Sequence, residues 1–149
     1  MSKQLLSFFV CSSNVIFAQE AIDITGTYSI HVGGYDWGCA TDKVTLTLNN
    51  PIDHVDENTF KVVENSETFD YSKGPAGTII KAEPTERTVK SVKVDGNTIE
   101  LDLKVRADTG SPIVWSLATQ YNTYVKDYSL EITSNDTQMT SNNQVVNSL

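Results

Sequence analysis

The chain has 149 residues, and its 19 acidic and 11 basic side chains give a formal net charge of −8. That length supports one domain with a real core and excludes two of ordinary size. The acidic balance repels phosphate backbones and anionic membrane faces, which excludes nucleic acid and charged lipid as natural partners.

Residues 1–18 carry the marks of an export leader. Lys3 is the only charge, an apolar run extends from Leu5 to Phe17, and Ala18 is the small residue ahead of the expected cleavage. The run is interrupted by Ser12, Ser13 and Asn14, and it falls short of the roughly 18 apolar residues that suggest a membrane span. A secreted or periplasmic chain beginning at Gln19 is expected. Lipid attachment at Cys11 is the alternative, but Phe9 and Val10 lack the small residue such attachment uses. Without the leader the chain is more acidic still and keeps Cys39 as its one thiol. No internal disulfide can then form, so stability must come from the core. No Lys, Arg or His adjoins Cys39 in sequence to activate it, so it reads as a small, partly buried side chain.

The stretch 21–32 places Tyr28, Ile30 and Val32 at every second position, the period of a half-buried strand, with Gly26 as an interruption. Gly33-Gly34-Tyr35-Asp36-Trp37-Gly38-Cys39 forms a glycine-aromatic loop, after which Val44, Leu46 and Leu48 resume the alternation up to Asn49-Asn50-Pro51. Residues 53–58 read as a polar turn and 59–63 as a strand. A short strand over 67–71 bears Phe69 and Tyr71, and Lys73-Gly74-Pro75-Ala76-Gly77 breaks it. The clearest hairpin joins 87–94 to 98–105 across Asp95-Gly96-Asn97. Its second strand alternates through Ile99, Leu101, Leu103 and Val105, which predicts a place near the centre of its sheet. After the turn Asp108-Thr109-Gly110-Ser111-Pro112, residues 113–117 carry Trp115. Residues 121–132 carry Tyr121 and Tyr124, then Tyr128, Leu130 and Ile132 in alternation. Residues 134–149 are rich in Ser, Asn, Thr and Gln, and a disordered polar tail is expected after a domain over 19–133.

Seven to eight short strands with turn signals between them, and no amphipathic helix of useful length, predict an all-β antiparallel sandwich. An eight-stranded barrel is the competing architecture; the uneven strand spacing favours the sandwich.

The chemistry of a hydrolase is missing from the sequence. A serine nucleophile on a strained elbow needs Gly-x-Ser-x-Gly with an acid and a histidine after it. No such motif occurs, and His31 and His54 both precede the glycine-rich Gly74-Pro75-Ala76-Gly77. Gly33-Gly34 lacks the Lys-Ser or Lys-Thr and the helix of a phosphate cradle. His31, His54 and Cys39 lack the spacing of a zinc site. Asp53, Asp56 and Glu57 offer oxygens to calcium, but without the alternating loop and its glycine they read as a solvated turn. A non-catalytic chain without cofactor or metal is expected. The candidate binding residues are the loop aromatics Tyr35, Trp37, Trp115, Tyr121 and Tyr124, because exposed rings on a β-sandwich can stack on sugar rings or grip a protein partner. The competing expectation is that Trp37 and Trp115 plug the sandwich ends, with Trp37 mostly buried.

Several short stretches occur in a telling order: Gly34-Tyr35-Asp36-Trp37-Gly38, Asp42-Lys43-Val44, Glu86-Arg87-Thr88-Val89, the strand 101–105 leading to Gly110-Ser111-Pro112, and Tyr128-Ser129-Leu130-Glu131-Ile132. With them the chain resembles the immunoglobulin-like N-terminal domain of secreted bacterial esterases over residues 24–133. The resemblance implies a β-sandwich placed ahead of an α/β-hydrolase domain, supporting assembly and shaping access to the active site without doing the chemistry. Cys39 stands where that family usually has proline, and no hydrolase domain follows within this sequence. The partners expected are therefore an esterase domain or a second copy of the chain, with polysaccharide as the alternative.

Overall fold

The computed structural model describes residues 21–135 and 139–148. The expected leader over residues 1–18, with Cys11, lies outside them. Every element among the described residues is a strand. In chain order they are β1 (Ile22–Asp23), β2 (Gly26–Tyr35), β3 (Gly38–Leu48), β4 (Phe60–Asn65), β5 (Glu67–Asp70), β6 (Thr78–Lys81) and β7 (Thr85–Arg87). There follow β8 (Val89–Asp95), β9 (Thr98–Leu103), β10 (Ile113–Ser116), β11 (Tyr121–Tyr124), β12 (Ser129–Ser134), β13 (Thr140–Ser141) and β14 (Gln144–Ser148).

Two antiparallel sheets supply most of the core. The larger has the order β2-β3-β9-β8, and the smaller β12-β4-β7. Period-two alternation decides which side chains face inward. Val44, Leu46 and Leu48 of β3 and Ile99, Leu101 and Leu103 of β9 are buried, and they join Phe60 and Val62 of β4 and Leu130 of β12 in one cluster. The fold is thus all-β and sandwich-like, and the faultless alternation of β9 does mark an interior strand. Two further hairpins, β5-β6 and β10-β11, form small sheets of their own.

Three features depart from the periodic reading. The stretch 87–94 is not one strand: Arg87 closes β7 in the smaller sheet and Val89 opens β8 in the larger, so the chain changes sheet at Thr88, whose carbonyl accepts from Lys104 N at 2.9 Å. Tyr28 is exposed rather than buried with Ile30. It sits on β2, an edge strand, and its hydroxyl accepts from Leu130 N at 2.9 Å, so the phenol spans the open side between the two sheets.

The third departure is the region expected to be a disordered tail. β13 and β14 form a hairpin there, and β14 pairs in parallel with β1, placing Ile22 opposite Val146. The turn residues Asn142 and Asn143 have φ of 49° and 63°, the left-handed geometry that two-residue hairpin turns require and that asparagine tolerates. Asp53 clamps this turn by accepting from Asn142 N at 3.0 Å and Asn143 N at 2.8 Å. Met139, at 5% exposure, belongs to the core. The polar composition that suggested disorder is that of a hairpin with one apolar residue on each side to bury.

Candidate functional site

The glycine-aromatic loop closes as a tight hairpin: Tyr35 pairs with Gly38, leaving Asp36 and Trp37 as the turn. Further down, His31 pairs with Lys43 and Val32 with Thr41, so Asp42 is the extra residue of a β-bulge. A bulge re-aims the side chain it carries. Here Asp42 Oδ2 accepts from the Tyr35 hydroxyl at 2.8 Å, and Asp42 Oδ1 lies 2.7 Å from His31 Nδ1. Burial works against the Asp42 carboxylate, but the bonds from His31 and Tyr35 outweigh it and hold its pKa below the ordinary value. The same bond to Asp42, followed by partial desolvation, raises the Tyr35 phenol. Gly33 makes the arrangement feasible, because a Cβ there would overlap Asp42 Oδ2 and press on the Tyr35 ring.

Trp37 folds back from the turn onto Tyr35. The two rings lie 4.8 Å apart, centroid to centroid, and 5° from parallel. Trp37 is nonetheless 41% exposed, which corrects the expectation that it is mostly buried. The reason is the turn itself: an indole on the tip of a two-residue hairpin reaches its neighbouring ring but not the sandwich interior. Trp115 is also no plug, being 53% exposed on β10.

Tyr121 and Tyr124 are the most open of the set, at 74% and 76%. Pairing of Ile113 with Tyr124 and Trp115 with Asn122 puts Trp115 and Tyr124 on one face of the β10-β11 hairpin, whereas Tyr121, opposite Ser116, belongs to the other. The five candidate rings therefore do not form one row. They divide into the Tyr35–Trp37 stack, the Trp115 and Tyr124 face, and Tyr121. β10 packs against β3, and Thr41 N donates to Gly110 O at 3.1 Å, so both aromatic hairpins leave the same neighbourhood of the molecule. The β10-β11 turn is tied further by Leu117 N donating to the Tyr71 hydroxyl at 2.8 Å.

Beneath this end lies a charged network inside the protein. Glu64 and Arg87 are both buried, and Arg87 Nη1 donates to Glu64 Oε2. Arg87 Nη2 donates across the core to Thr41 O at 2.7 Å and to Lys104 O at 3.1 Å. Tyr128 donates to Glu64 Oε2 at 2.9 Å and lies 2.7 Å from Thr41 Oγ1, while Gly110 N donates to Glu64 Oε1 at 3.1 Å. Every strong acceptor of the carboxylate is thereby engaged, which is how a buried charge is tolerated. Burial first, with the Glu64 charge acting the same way, pushes the Tyr128 phenol well above its ordinary value. The network is a brace between sheets whose members are partnered with one another, and Glu64 and Arg87 also line a cavity together with Lys90, Lys104 and Arg106.

The residues weighed for metals are not gathered. Among the described residues no group of three His, Cys, Asp or Glu stands close enough to hold an ion. Asp53 is spent on the Asn142–Asn143 turn, and Asp56 accepts from Asn58 N at 2.8 Å. Cys39 is half-buried opposite Gly34. No helix among the described residues is long and apolar enough to cross a membrane.

Periodicity missed His31 and Asp42 as partners of the rings, although the signal was present. Counting back from a two-residue Asp36–Trp37 turn sets His31 opposite Asp42 before any bulge is allowed for. The Glu64–Arg87–Tyr128 brace had no local signal, since its members lie on β4, on β7 and just ahead of β12. No family model matches the chain, and neither a curated protein nor a solved structure is significantly similar to it.

Proposed function

We propose that the chain is an exported, non-catalytic binding module: an immunoglobulin-like sandwich of the type that precedes the hydrolase domain in secreted esterases, with its contact surface on the two aromatic hairpins. The observation that carries this reading is the exposure of Trp37 on one hairpin and of Trp115 and Tyr124 on one face of the other, with β10 packed against β3, in an otherwise acidic molecule. Large aromatics are costly to leave in water and rank among the strongest contributors to interfaces. The absence of a nucleophile elbow from the sequence, and the use of the buried acid and base groups as an inter-sheet brace, support a module without turnover.

The test is retention of a secreted α/β-hydrolase from the native secretome by the immobilised protein, identified by mass spectrometry. Retention by the wild-type chain and its loss in a Trp115→Ala/Tyr124→Ala double variant is the expected result. Equal retention by both, or none by either, overturns the assignment. A second reading, that the module binds carbohydrate, is favoured by one specific observation: Trp37 presents an open indole face on a ring that is itself locked in place.

A further inference from the structure

We infer that the cavity where the chain crosses from β7 to β8 is a binding site for a small hydroxylated polycarboxylate, held through the ammonium groups of Lys90 and Lys104. The cavity has a volume of about 660 Å³, inside the roughly 300–1,000 Å³ range of small-molecule sites. None of the five candidate aromatic rings lines it, so the inference stands apart from the aromatic hairpins.

The crossover at Thr88 fixes the cations around the cavity. Val89 pairs with Leu103 and Ser91 with Asp102, so Lys90 is the extra residue of a β-bulge, and a bulge re-aims the side chain it carries. Lys104 is anchored through its backbone: its N donates to Thr88 O at 2.9 Å, and its carbonyl accepts from Arg87 Nη2 at 3.1 Å. The third cation, Arg106, opens a turn in which its N donates to Thr109 Oγ1 at 2.8 Å and its carbonyl accepts from Thr109 N at 3.0 Å. Arg87 and Glu64, with side chains only 4% and 3% exposed, also belong to the lining, so the cavity reaches down to the brace between the sheets.

Ion pairing decides which of these cations can hold a ligand. Arg87 is committed to Glu64, and Arg106 faces Asp108 at 3.1 and 3.2 Å. The remaining acid of the lining, Glu86, lies 3.7 Å from Lys61, which is outside the cavity. Every acid of the cavity thus has its own cation, whereas neither Lys90 nor Lys104 has an ion-pair partner among the described residues. Two ammonium groups without counter-ions therefore share one concave site, where field lines concentrate. The chain's charge of −8 opposes an anion at long range. At physiological ionic strength that field is screened over about 8 Å, so inside the cavity the two lysines dominate.

The donor set then favours carboxylate over phosphate. Phosphate is commonly bound by backbone N–H groups at a helix N-terminus or by free arginine forks. No helix occurs among the described residues, and both arginines of the cavity already face carboxylates. What remains is two compact point charges with three donors each, which suits two carboxylates on one skeleton. Spreading the charge over two groups also places less of it at any one point beside Glu86 and Asp108 than a phosphate dianion would. Thr85, Thr88 and Thr109 add hydroxyls to the lining, and a hydroxyl both donates and accepts, so a hydroxylated skeleton is matched as well. A free hydroxy acid and an acidic glycan with adjacent uronates both carry this chemistry.

The experiment is calorimetry of the purified protein with citrate, tartrate and digalacturonate at low and at physiological salt, with inorganic phosphate and the methyl ester of digalacturonate as comparison probes. The expected result is binding of at least one of the three acids, weaker at the higher salt. Affinity should fall severalfold in Lys90→Gln or Lys104→Gln, and on the order of tenfold or more in the double variant, with a shallower salt dependence. Both lysines are exposed, and unchanged thermal melting of the double variant guards against loss of fold as the cause. Lys93→Gln, on β8 but outside the cavity, and Trp115→Ala/Tyr124→Ala should bind as wild type does. Tighter binding of digalacturonate than of the hydroxy acids, lost on methyl esterification, supports the site with a glycan as its source of carboxylates; the reverse order supports it with a free hydroxy acid. Acid binding that survives the double lysine variant overturns the location. Phosphate bound as tightly as the acids overturns the ligand class, and no binding of any of the three acids overturns the site.

Discussion

Trp37 shows how a single residue can be read correctly for size and wrongly for place. Its area made it a natural core residue, yet the two-residue turn fixes it at a hairpin tip, stacked on Tyr35 and 41% exposed. The stabilisation it supplies is therefore partial burial plus the stacked pair, together about 1–3 kcal/mol, rather than the roughly 3–5 kcal/mol of a fully buried ring. Urea denaturation of Trp37→Ala should show a loss in the lower range; a loss in the upper range would return the indole to a structural role. Gly110 is the opposite case, an unremarkable turn residue by sequence that the structure leaves no freedom to change. A Cβ there would run into Glu64 Oε1, the atom its own N–H donates to. Because the obstruction is a buried, fully engaged carboxylate, Gly110→Ala should destabilise by about 1–3 kcal/mol, the usual range for overpacking, measured by the same denaturation.

At the level of elements, the β13-β14 hairpin carries more weight than its composition suggests. It pairs with β1, follows Met139 of the core cluster, packs Val146 against that cluster, and is held at its turn by Asp53. Truncation before Met139 should lower the melting temperature by more than about 4 °C, the equivalent of roughly 1 kcal/mol in a domain of this size. Asp53→Asn, which weakens only the clamp, should have a smaller effect of the same sign. The Asp53 pKa is lowered, first by the bond from Asn143 N. The clamp is therefore present above the ordinary carboxylate value and is lost as pH falls through the depressed folded value, a window that acid-induced melts of wild type and Asp53→Asn would expose as converging curves.

Across the whole molecule, the Glu64–Arg87 brace joins the two sheets, because the arginine reaches from the smaller sheet to carbonyls of Thr41 and Lys104 on the other side. Removing one partner leaves a buried charge without compensation, so Arg87→Ala should cost about 3–5 kcal/mol, whereas an apolar replacement of both Glu64 and Arg87 should cost far less. Chemical denaturation of the single and double variants checks this. Tyr128 adds a pH signature to the same brace. Burial holds its folded phenol well above the ordinary tyrosine value of about 10, so the stability it contributes is complete below that value and declines as the unfolded phenol ionises above it. The decline is at most about 1.4 kcal/mol per pH unit, less where solvent reaches the ring. Tyr128→Phe should melt lower than wild type near neutral pH and lose less on further alkalinisation.

Properties that depend on neighbours a few residues apart were legible before folding. Alternation at Val44, Leu46 and Leu48 and at Ile99, Leu101 and Leu103 predicted strands, their buried faces and the interior place of β9, because a strand's side-chain period is local and water penalises the wrong register. Properties that hang on distant segments meeting became visible in the folded chain alone. These are the sheet change at Thr88, the parallel pairing of β1 with β14, the inward aim of Glu64 and Arg87, and the bulge that turns Asp42 toward His31 and Tyr35. A charged residue in an alternating strand has the same local pattern whether it faces water or a partner across the core. The difference lies in a counter-charge many residues away, which no window of sequence contains.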